Sequence, residues 1–555
     1  MPVPVIVLNF GHSVLRSLDD YTEAASEIYR HYRKGQNVVA VTSAQHDQTD
    51  ILMAEARRIG PEGTAKNLAE LIQLGERRSA ALLSLALERV GAPAFVRQAR
   101  DLGLKANSDT QEASITDLNV EQLQQDLRDH DIVVMPGYVG IGNKDRPVLL
   151  TDGGADLTAL YVAYRLGVKA KLVKDIDGVY ENDPKEIGSK PRRYDQISWD
   201  EAQKRASVLV APKALKFAKE NALAFDVGTL GQPSYTTIGP ITQEPIAPKS
   251  IKKKSIVMMG CGIVGGGVLR RVQALDNRFE MKKIMVRNVE KYISQGINPE
   301  LLTDNFDDLI AQEADIFIDV SGPIQPALDY SRQMLSRGVH VVSANKQAIA
   351  EGGQALIDFA KDNKAALQFS SAAGGGMPVL EMCQRETGRI TRVEALLNGT
   401  TNYMLGEITN GVSYADALKA AQEKGFAEAD PSADVDGDDA AAKIRLVALL
   451  AFGQAISNAD IPKESIRDFK LDASPKGAIK RIATCWQDRN GVHTSLEVRD
   501  LSLNNFIAQA DGEEAHAIFT FNDGDQYHIR GKGAGRWPTT EAVMADLYDI
   551  SNQAE

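Results

Sequence analysis

The chain is poor in sulfur, in aromatic residues and in long apolar runs, and each shortage excludes something. Its 555 residues hold three cysteines, Cys261, Cys383 and Cys485, far apart and in no CxxC pattern. They offer neither a disulfide framework nor a metal site, so a reducing compartment is expected. The longest clearly apolar stretch, residues 446–452, is far short of the roughly 20 residues that span a bilayer. The start, MPVPVIVLNFGHS, lacks the basic segment and apolar core of a signal peptide. Basic residues are also in deficit, 63 against 75 acidic, for a net charge of −12. Such a chain is a poor general binder of nucleic acid, because phosphate contacts need clustered Lys and Arg. A 43% hydrophobic and 25% charged composition excludes a disordered polymer. The expectation is a soluble, cytoplasmic, multidomain protein without fixed-period repeats or low-complexity tracts.

What is present is alternating strand and helix. VPVIVLNF and NVVAVTSA are short apolar runs, and the stretch between them has helical spacing and stops at Gly35. RSAALLSLALERVG and DLTALYVAYRLG read as helices, and DIVVMPGYVG as a strand entering a glycine turn. This alternation predicts a mainly parallel sheet covered on both faces. The stretch ITQEPIAPKSIKKKS, with two prolines and a Lys run, reads as a solvated linker. The α/β pattern restarts at SIVMMGCGIVGGGVLRRVQAL, with further strands in KKIMVR, ADIFIDVS and HVVSAN. From about residue 396 long Ala-rich helices precede strands such as VHTSLEV and AHAIFTF, which suggests an α+β substrate domain.

Gly260, Gly262 and Gly265 fit G-x-G-x-x-G, between an apolar strand and a helix. In that context the glycines permit a tight turn and close backbone approach to a pyrophosphate, which sits at the positive helix N-terminus. The second strand ends in Arg287, 22 residues after Gly265, where an NAD site would place an acid. A guanidinium suits a 2′-phosphate, so NADP(H) is expected ahead of NAD(H); the other reading makes Arg287 a surface charge.

The segment GFAEADPSADVDGDDAAAKIRLVALLAFG is the densest in chemistry. Asp439 and Lys443 are four apart and share one helix face. The helix then becomes apolar nearly all round, so the pair is a candidate for a lined crevice, with a lysine able to give or take a proton. Among the acids upstream, Asp436 and Asp438 are expected to be explained by helix capping plus an exposed ion pair.

Here the residues carry a resemblance. GCGIVGGGV, DVSGP, GVHVVSANK, GGGMPVLE, LNGTTNYML, GFAEADPSADVDGDDAAAK and GKGAGRWPTTEAVMADL, in that order, resemble homoserine dehydrogenase. The family reduces aspartate 4-semialdehyde to L-homoserine with NAD(P)H, in the biosynthesis of threonine and methionine. The resemblance implies Lys443 and Lys346 as catalytic residues. Thr400, Phe426, Glu428, Asp434 and Asp439 would form the substrate pocket, with Glu428 on the amino group. Gly260, Gly262, Ile263, Val264, Gly265, Arg287, Ser321, Gly322, Lys346 and Gly535 would hold the cofactor. Ser370 stands where the family usually has a glutamate of a monovalent-cation site, which puts that cation in question, and no other metal is expected. His516 stands where an asparagine is common, for no reason visible in the sequence.

Residues 1–240 resemble the aspartokinase member of the amino-acid kinase fold, through VLNFGHSVL, VTSAQHDQTD, LGERRSAALLSLAL, MPGYVGIG, LTDGGADLTAL, KDIDGVYENDPK and ISWDEA. Transfer of a phosphoryl group needs positive charge. Yet Asn9 replaces one family lysine, Val208 aligns with another, Asp152 replaces an arginine, and His12 replaces a glycine. Asn9 apart, the remnant set is Thr49, Glu76, Asp156, Asp175, Asp177 and Tyr180. Lys171, Lys174 or Lys185 could supply the lost charge in the opposing view.

The expected organisation is therefore α/β: an amino-acid kinase-like domain at 1–240 and a linker at 241–254. A Rossmann dinucleotide-binding domain follows at 255–396 and 527–555, with an α+β catalytic domain at 397–526. The regulatory modules usual between kinase and dehydrogenase, or a C-terminal extension, find no room, so feedback through them is not expected. Three functions stand open: a dehydrogenase on a small-molecule substrate with a degenerate kinase domain that braces a homo-oligomer, dimer or tetramer; a bifunctional enzyme; and a non-catalytic binding partner.

Overall fold

The computed structural model describes residues 3–60, 64–107, 113–150, 153–184, 186, 191–206, 209–248, 252–275, 277–471 and 475–553. The chain divides into two compact units, residues 1–89 with 93–250, and 90–92 with 251–555.

Unit 1 is built on the strands β1 (Val5–Phe10), β2 (Asn37–Thr42), β3 (Phe95–Val96), β4 (Ile132–Pro136), β5 (Lys169–Val173), β6 (Gln196–Ser198), β7 (Phe225–Gly228) and β8 (Tyr235–Gly239). Their spatial order is β6-β8-β7-β5-β1-β2-β4-β3, and every neighbouring pair is parallel except β7 with β8. β2 is buried at all six positions, as a parallel strand covered on both faces must be. Helix α1 (Asp20–Arg33) packs on the sheet, α2 (Ala65–Val90) meets α1 through the Tyr21–Ser79 hydrogen bond, and α3 (Gly154–Leu166) packs on β1, β2 and β5. α2 starts well before the expected RSAALL segment; the apolar Leu68, Leu71 and Ile72 already keep helical spacing there. Within the expected linker, Ile246 bridges Arg193 of unit 1.

Unit 2 opens on β9 (Lys254–Met259), β10 (Phe279–Met285), β11 (Leu302–Thr303), β12 (Ile316–Asp319), β13 (His340–Ser343) and β14 (Leu367–Gln368). The order β11-β10-β9-β12-β13-β14, all parallel, is the 3-2-1-4-5-6 order of dinucleotide-binding sheets, whose ligands lie beyond the carboxyl ends at the order reversal. α4 (Ile263–Ala274) leaves β9 at that point, and α5 (Lys346–Asp362) leaves β13 beside it.

The second sheet is antiparallel, in the order β17-β16-β15-β18-β19. Its strands are β15 (Ile390–Ala395), β16 (Ala478–Asp488), β17 (Gly491–Leu501), β18 (Glu514–Phe521) and β19 (Gln526–Lys532). β15 and β19 thus join this sheet although they lie inside the segments 255–396 and 527–555 read as nucleotide-binding. Helix grammar alone misplaces such crossings, because β15 precedes the helices it belongs with. α6 (Gly399–Thr409) and α7 (Asp438–Phe452) follow β15 in the chain. The last helix, α8 (Arg536–Gln553), returns to the first sheet. Its Val543, Met544, Leu547, Tyr548 and Ile550 share a core with Ile256, Met258, Val268 and Phe279, each such buried side chain contributing about 1.5–3 kcal/mol.

Candidate active site

The turn from β9 into α4 is built to approach a ligand closely. Gly260 has φ +95°, and a Cβ on it would lie 2.8 Å from the Val320 carbonyl oxygen. A Cβ on Gly265 would lie 2.5 Å from the Gly260 oxygen, whereas one on Gly262 would meet nothing within 4 Å. α4 has no acid in its first turn, so its N-terminal partial positive charge is uncompensated from within. Pyrophosphate fits this cradle by shape and by charge. Arg287 is exposed, just past β10; the turn and that strand are tied by the Gly260 N–H donating to the Met285 carbonyl at 2.9 Å.

A cavity of about 680 Å³ adjoins the turn. Val264, Ser321, Gly322, Lys346, Thr400, Phe426, Glu428, Asp434, Asp439, Lys443 and Gly535 all line it, whereas Gly260, Gly262, Ile263, Gly265 and Arg287 do not. Lys346 is the first residue of α5, whose N-cap is Asn345. Thr400 stands in the first turn of α6, and its hydroxyl donates to the Phe426 carbonyl at 2.5 Å.

Asp439 and Lys443 sit one turn apart on α7, as their spacing predicts, and the two lysines converge on the one carboxylate. Lys346 Nζ lies 2.9 Å from Asp439 Oδ1, and Lys443 Nζ lies 2.8 Å from Oδ2. Lys443 also donates to the Leu397 carbonyl at 2.7 Å. Burial pushes the Asp439 carboxyl up, but the charges of Lys443 and Lys346, with hydrogen bonds from Lys443 and Asn398, prevail and hold it well below the usual carboxylate range. The Asp439 charge raises Lys346 above the ordinary lysine value, against the opposing effect of burial.

Asn398 was not singled out from the sequence. Its Nδ2 donates to Asp434 Oδ1 at 2.6 Å and to Asp439 Oδ2 at 2.9 Å, and its Oδ1 caps α6 through the Thr401 N–H. The only signal was an Asn directly before the glycine that opens a helix, which reads as a cap and nothing more. The upstream acids do not cap α7. Its N-cap is Gly437, with no side-chain cap, because φ +91° there suits glycine. Asp436 instead pairs with Arg467 at 2.5 Å and Asp438 with Lys463 at 2.6 Å. His516 has a physical account here: buried, it hydrogen-bonds the Phe506 carbonyl at 2.8 Å and stacks on the Phe506 ring at 4.5 Å. The Ser370 N–H donates to Asp546 Oδ2 at 3.1 Å.

Unit 1 has its own cleft, of about 400 Å³, lined by Thr49, Glu76, Asp156 and Lys174 among others. Asp156 accepts Asn9 Nδ2 at 2.6 Å and Lys174 Nζ at 2.7 Å. Asp175 and Tyr180 do not line this cleft. The Tyr180 hydroxyl donates to Asp177 at 2.6 Å, and burial with that bond raises its pKa. Asp152, Lys185 and Val208 lie outside the described residues.

Burial pushes Glu76 up to about 8, opposed only by a backbone hydrogen bond from Ala44, and its Oε2 has no hydrogen-bond partner. A carboxyl raised in the fold stabilises it below the ordinary value and loses that contribution as pH rises towards 8. Glu76→Gln is therefore expected to match the wild-type Tm at about pH 4, below the ordinary carboxyl value, and to exceed it at about pH 9. A Tm difference independent of pH in paired thermal melts would contradict this.

Comparisons with known proteins agree with the two halves of this geometry. The model of the family described as "Homoserine dehydrogenase, NAD binding domain" matches residues 260–370, "Homoserine dehydrogenase" matches 378–548, and "Amino acid kinase family" matches 4–224. The homoserine dehydrogenase of Synechocystis sp. is 32% identical over 320 residues, covering 53% of this chain and 72% of that protein. That of Bacillus subtilis is 30% identical, covering 54% and 73%. The crystal structure of a homoserine dehydrogenase from Thiobacillus denitrificans superposes with a TM-score of 0.51 at 29% identity, over 56% of this chain and 76% of that one. Identity and coverage of this extent, across both the parallel sheet and the lysine–carboxylate cleft, place the chain in the homoserine dehydrogenase family, with a domain of the amino acid kinase family ahead of it.

Proposed function

We propose that the chain reduces L-aspartate 4-semialdehyde to L-homoserine with NADP(H), and that unit 1 transfers no phosphoryl group. The observation that carries the reading is the pair of lysines on the two oxygens of Asp439, at the cavity next to the glycine turn. Gly260, Gly262, Ile263, Val264, Gly265, Ser321, Gly322 and Gly535 would hold the dinucleotide. A reduced nicotinamide, when bound, supplies the hydride.

The residues of this chain do the rest. An ammonium has three N–H donors; Lys443 gives one to Leu397 and one to Asp439, which leaves one for the aldehyde oxygen. As the carbonyl carbon is reduced, charge develops on that oxygen, and Lys443 stabilises it and delivers the proton that makes the hydroxyl. Lys346, kept protonated by Asp439, adds a second positive charge. Glu428 would hold the substrate ammonium group, with Asp434, Thr400 and Phe426 completing the pocket.

In this reading unit 1 braces a homo-oligomer in the cytoplasm. Among the described residues no helix is long and apolar enough to cross a membrane. A bifunctional enzyme is disfavoured because both described candidate cations are committed. Lys174 pairs with Asp156, and Lys171 with the buried Glu27 at 3.0 Å.

The test is NADP⁺ reduction driven by L-homoserine, compared with NAD⁺. NADP(H) is expected to outperform NAD(H). Arg287→Asp should lower kcat/KM for the phosphorylated cofactor by roughly 10- to 100-fold, the worth of a charge-assisted hydrogen bond. NAD(H) should change little or improve. Equal use of both cofactors by the wild type, unchanged in the variant, would remove the assignment.

A further inference from the structure

We infer that Arg481 is a positioning residue for the substrate, acting through the backbone of the loop that carries Asp434. This rests on the reading above, in which Asp434 is part of the substrate pocket.

Arg481 lies in β16, among the buried Ile479, Ile482 and Ala483, and is itself 5% exposed. A guanidinium carries five donors and stays charged, so burial obliges it to find acceptors. Among the described residues its acceptors are main-chain carbonyls, not carboxylates: Nη1 donates to Val435 O at 2.9 Å and Nη2 to Asp434 O at 2.5 Å. These carbonyls end the short helix Ser432–Val435.

Two residues on, the chain turns through Gly437 into α7. A Cβ on Gly437 would lie 3.2 Å from Leu496 Cδ2 and 3.5 Å from Arg481 Nη1, so the guanidinium fills the space under the turn. The backbone of the loop is thus fixed by Arg481, while the Asp434 side chain is fixed by Asn398. Asp439, Asp434 and Asp436 all favour the charged guanidinium, which burial lowers to about 10 and leaves charged at neutral pH. A buried ion is weak evidence for stability. Its consequence here is the placement of one carboxylate, and that is a claim about substrate affinity.

The experiment uses the full chain and measures KM for aspartate 4-semialdehyde, KM for NADPH, kcat and Tm in wild type, Arg481→Met and Arg481→Lys. Arg481→Met removes both charge-assisted bonds. Semialdehyde KM should rise roughly 10- to 100-fold, with kcat falling less and NADPH KM within about twofold of wild type. Arg481→Lys, able to reach one carbonyl, should recover part of the loss. If Arg481→Met does not fold, Arg481→Lys decides, with a rise of roughly threefold or more in semialdehyde KM alone. An unchanged semialdehyde KM in a folded Met variant, or in Lys where only Lys folds, overturns the inference. So does an equal rise in both KM values. A wild type without semialdehyde-dependent turnover overturns the functional reading itself, which separates the two failures.

Discussion

Lys443→Ala is expected to lower kcat for semialdehyde reduction by roughly 10²- to 10⁴-fold while NADPH still binds. The side chain is 8% exposed and holds the Leu397 carbonyl and Asp439 together. Its removal takes away the donor assigned to the developing alkoxide. The fold should survive, because Asp439 keeps Lys346 at 2.9 Å and Asn398 at 2.9 Å. Dinucleotide binding should survive too, because the glycine turn belongs to a different sheet. Lys346→Ala should cost a comparable factor, since its raised pKa marks it as positively charged through the neutral range. Stopped-flow turnover beside a fluorescence titration of NADPH separates chemistry from binding. Near wild-type turnover in both variants would sink the catalytic assignment.

The purified chain is expected to release no ADP from ATP in response to aspartate. Phosphoryl transfer is mostly electrostatic positioning, and removal of one well-placed donor costs roughly 10²- to 10³-fold. By the resemblance to aspartokinase, Asn9 would stand for one family lysine, Val208 for another and Asp152 for an arginine. At position 9 the amide donates to Asp156, a contact that orders the cleft without adding charge. Lys174, the nearest substitute, is held at 2.7 Å by the same Asp156. Deleting residues 1–245 should lower stability or change the oligomeric state and leave the dehydrogenase chemistry in place. Robust aspartate-dependent ADP release, abolished by Asp156→Ala, would make the protein bifunctional.

Much of this was legible in the sequence because it is local. Apolar runs bounded by glycine marked β1, β2, β9 and β13, and a G-x-G-x-x-G flanked by strand and helix marked the cofactor turn. The Asp439–Lys443 pair needed only the helical repeat. What stayed hidden joins residues distant in the chain. Lys443 meets Leu397 across 46 residues, and Asn398 meets Asp439 across 41. Arg481 meets Asp434 across 47 and had no signal beyond two adjacent cations, Lys480 and Arg481, in an otherwise apolar strand. Asp436 and Asp438 form the expected ion pairs but do not cap α7, because Gly437 takes the N-cap in a left-handed conformation. The sheet membership of β15 and β19 is likewise a matter of strand partners, which periodicity does not name.

The account is tested most directly by NADPH oxidation in the purified full chain, with and without L-aspartate 4-semialdehyde. It predicts oxidation that depends on the semialdehyde, forms L-homoserine and is largely lost in Lys443→Ala. No semialdehyde-dependent oxidation by the folded wild type, or oxidation indifferent to Lys443, would contradict it.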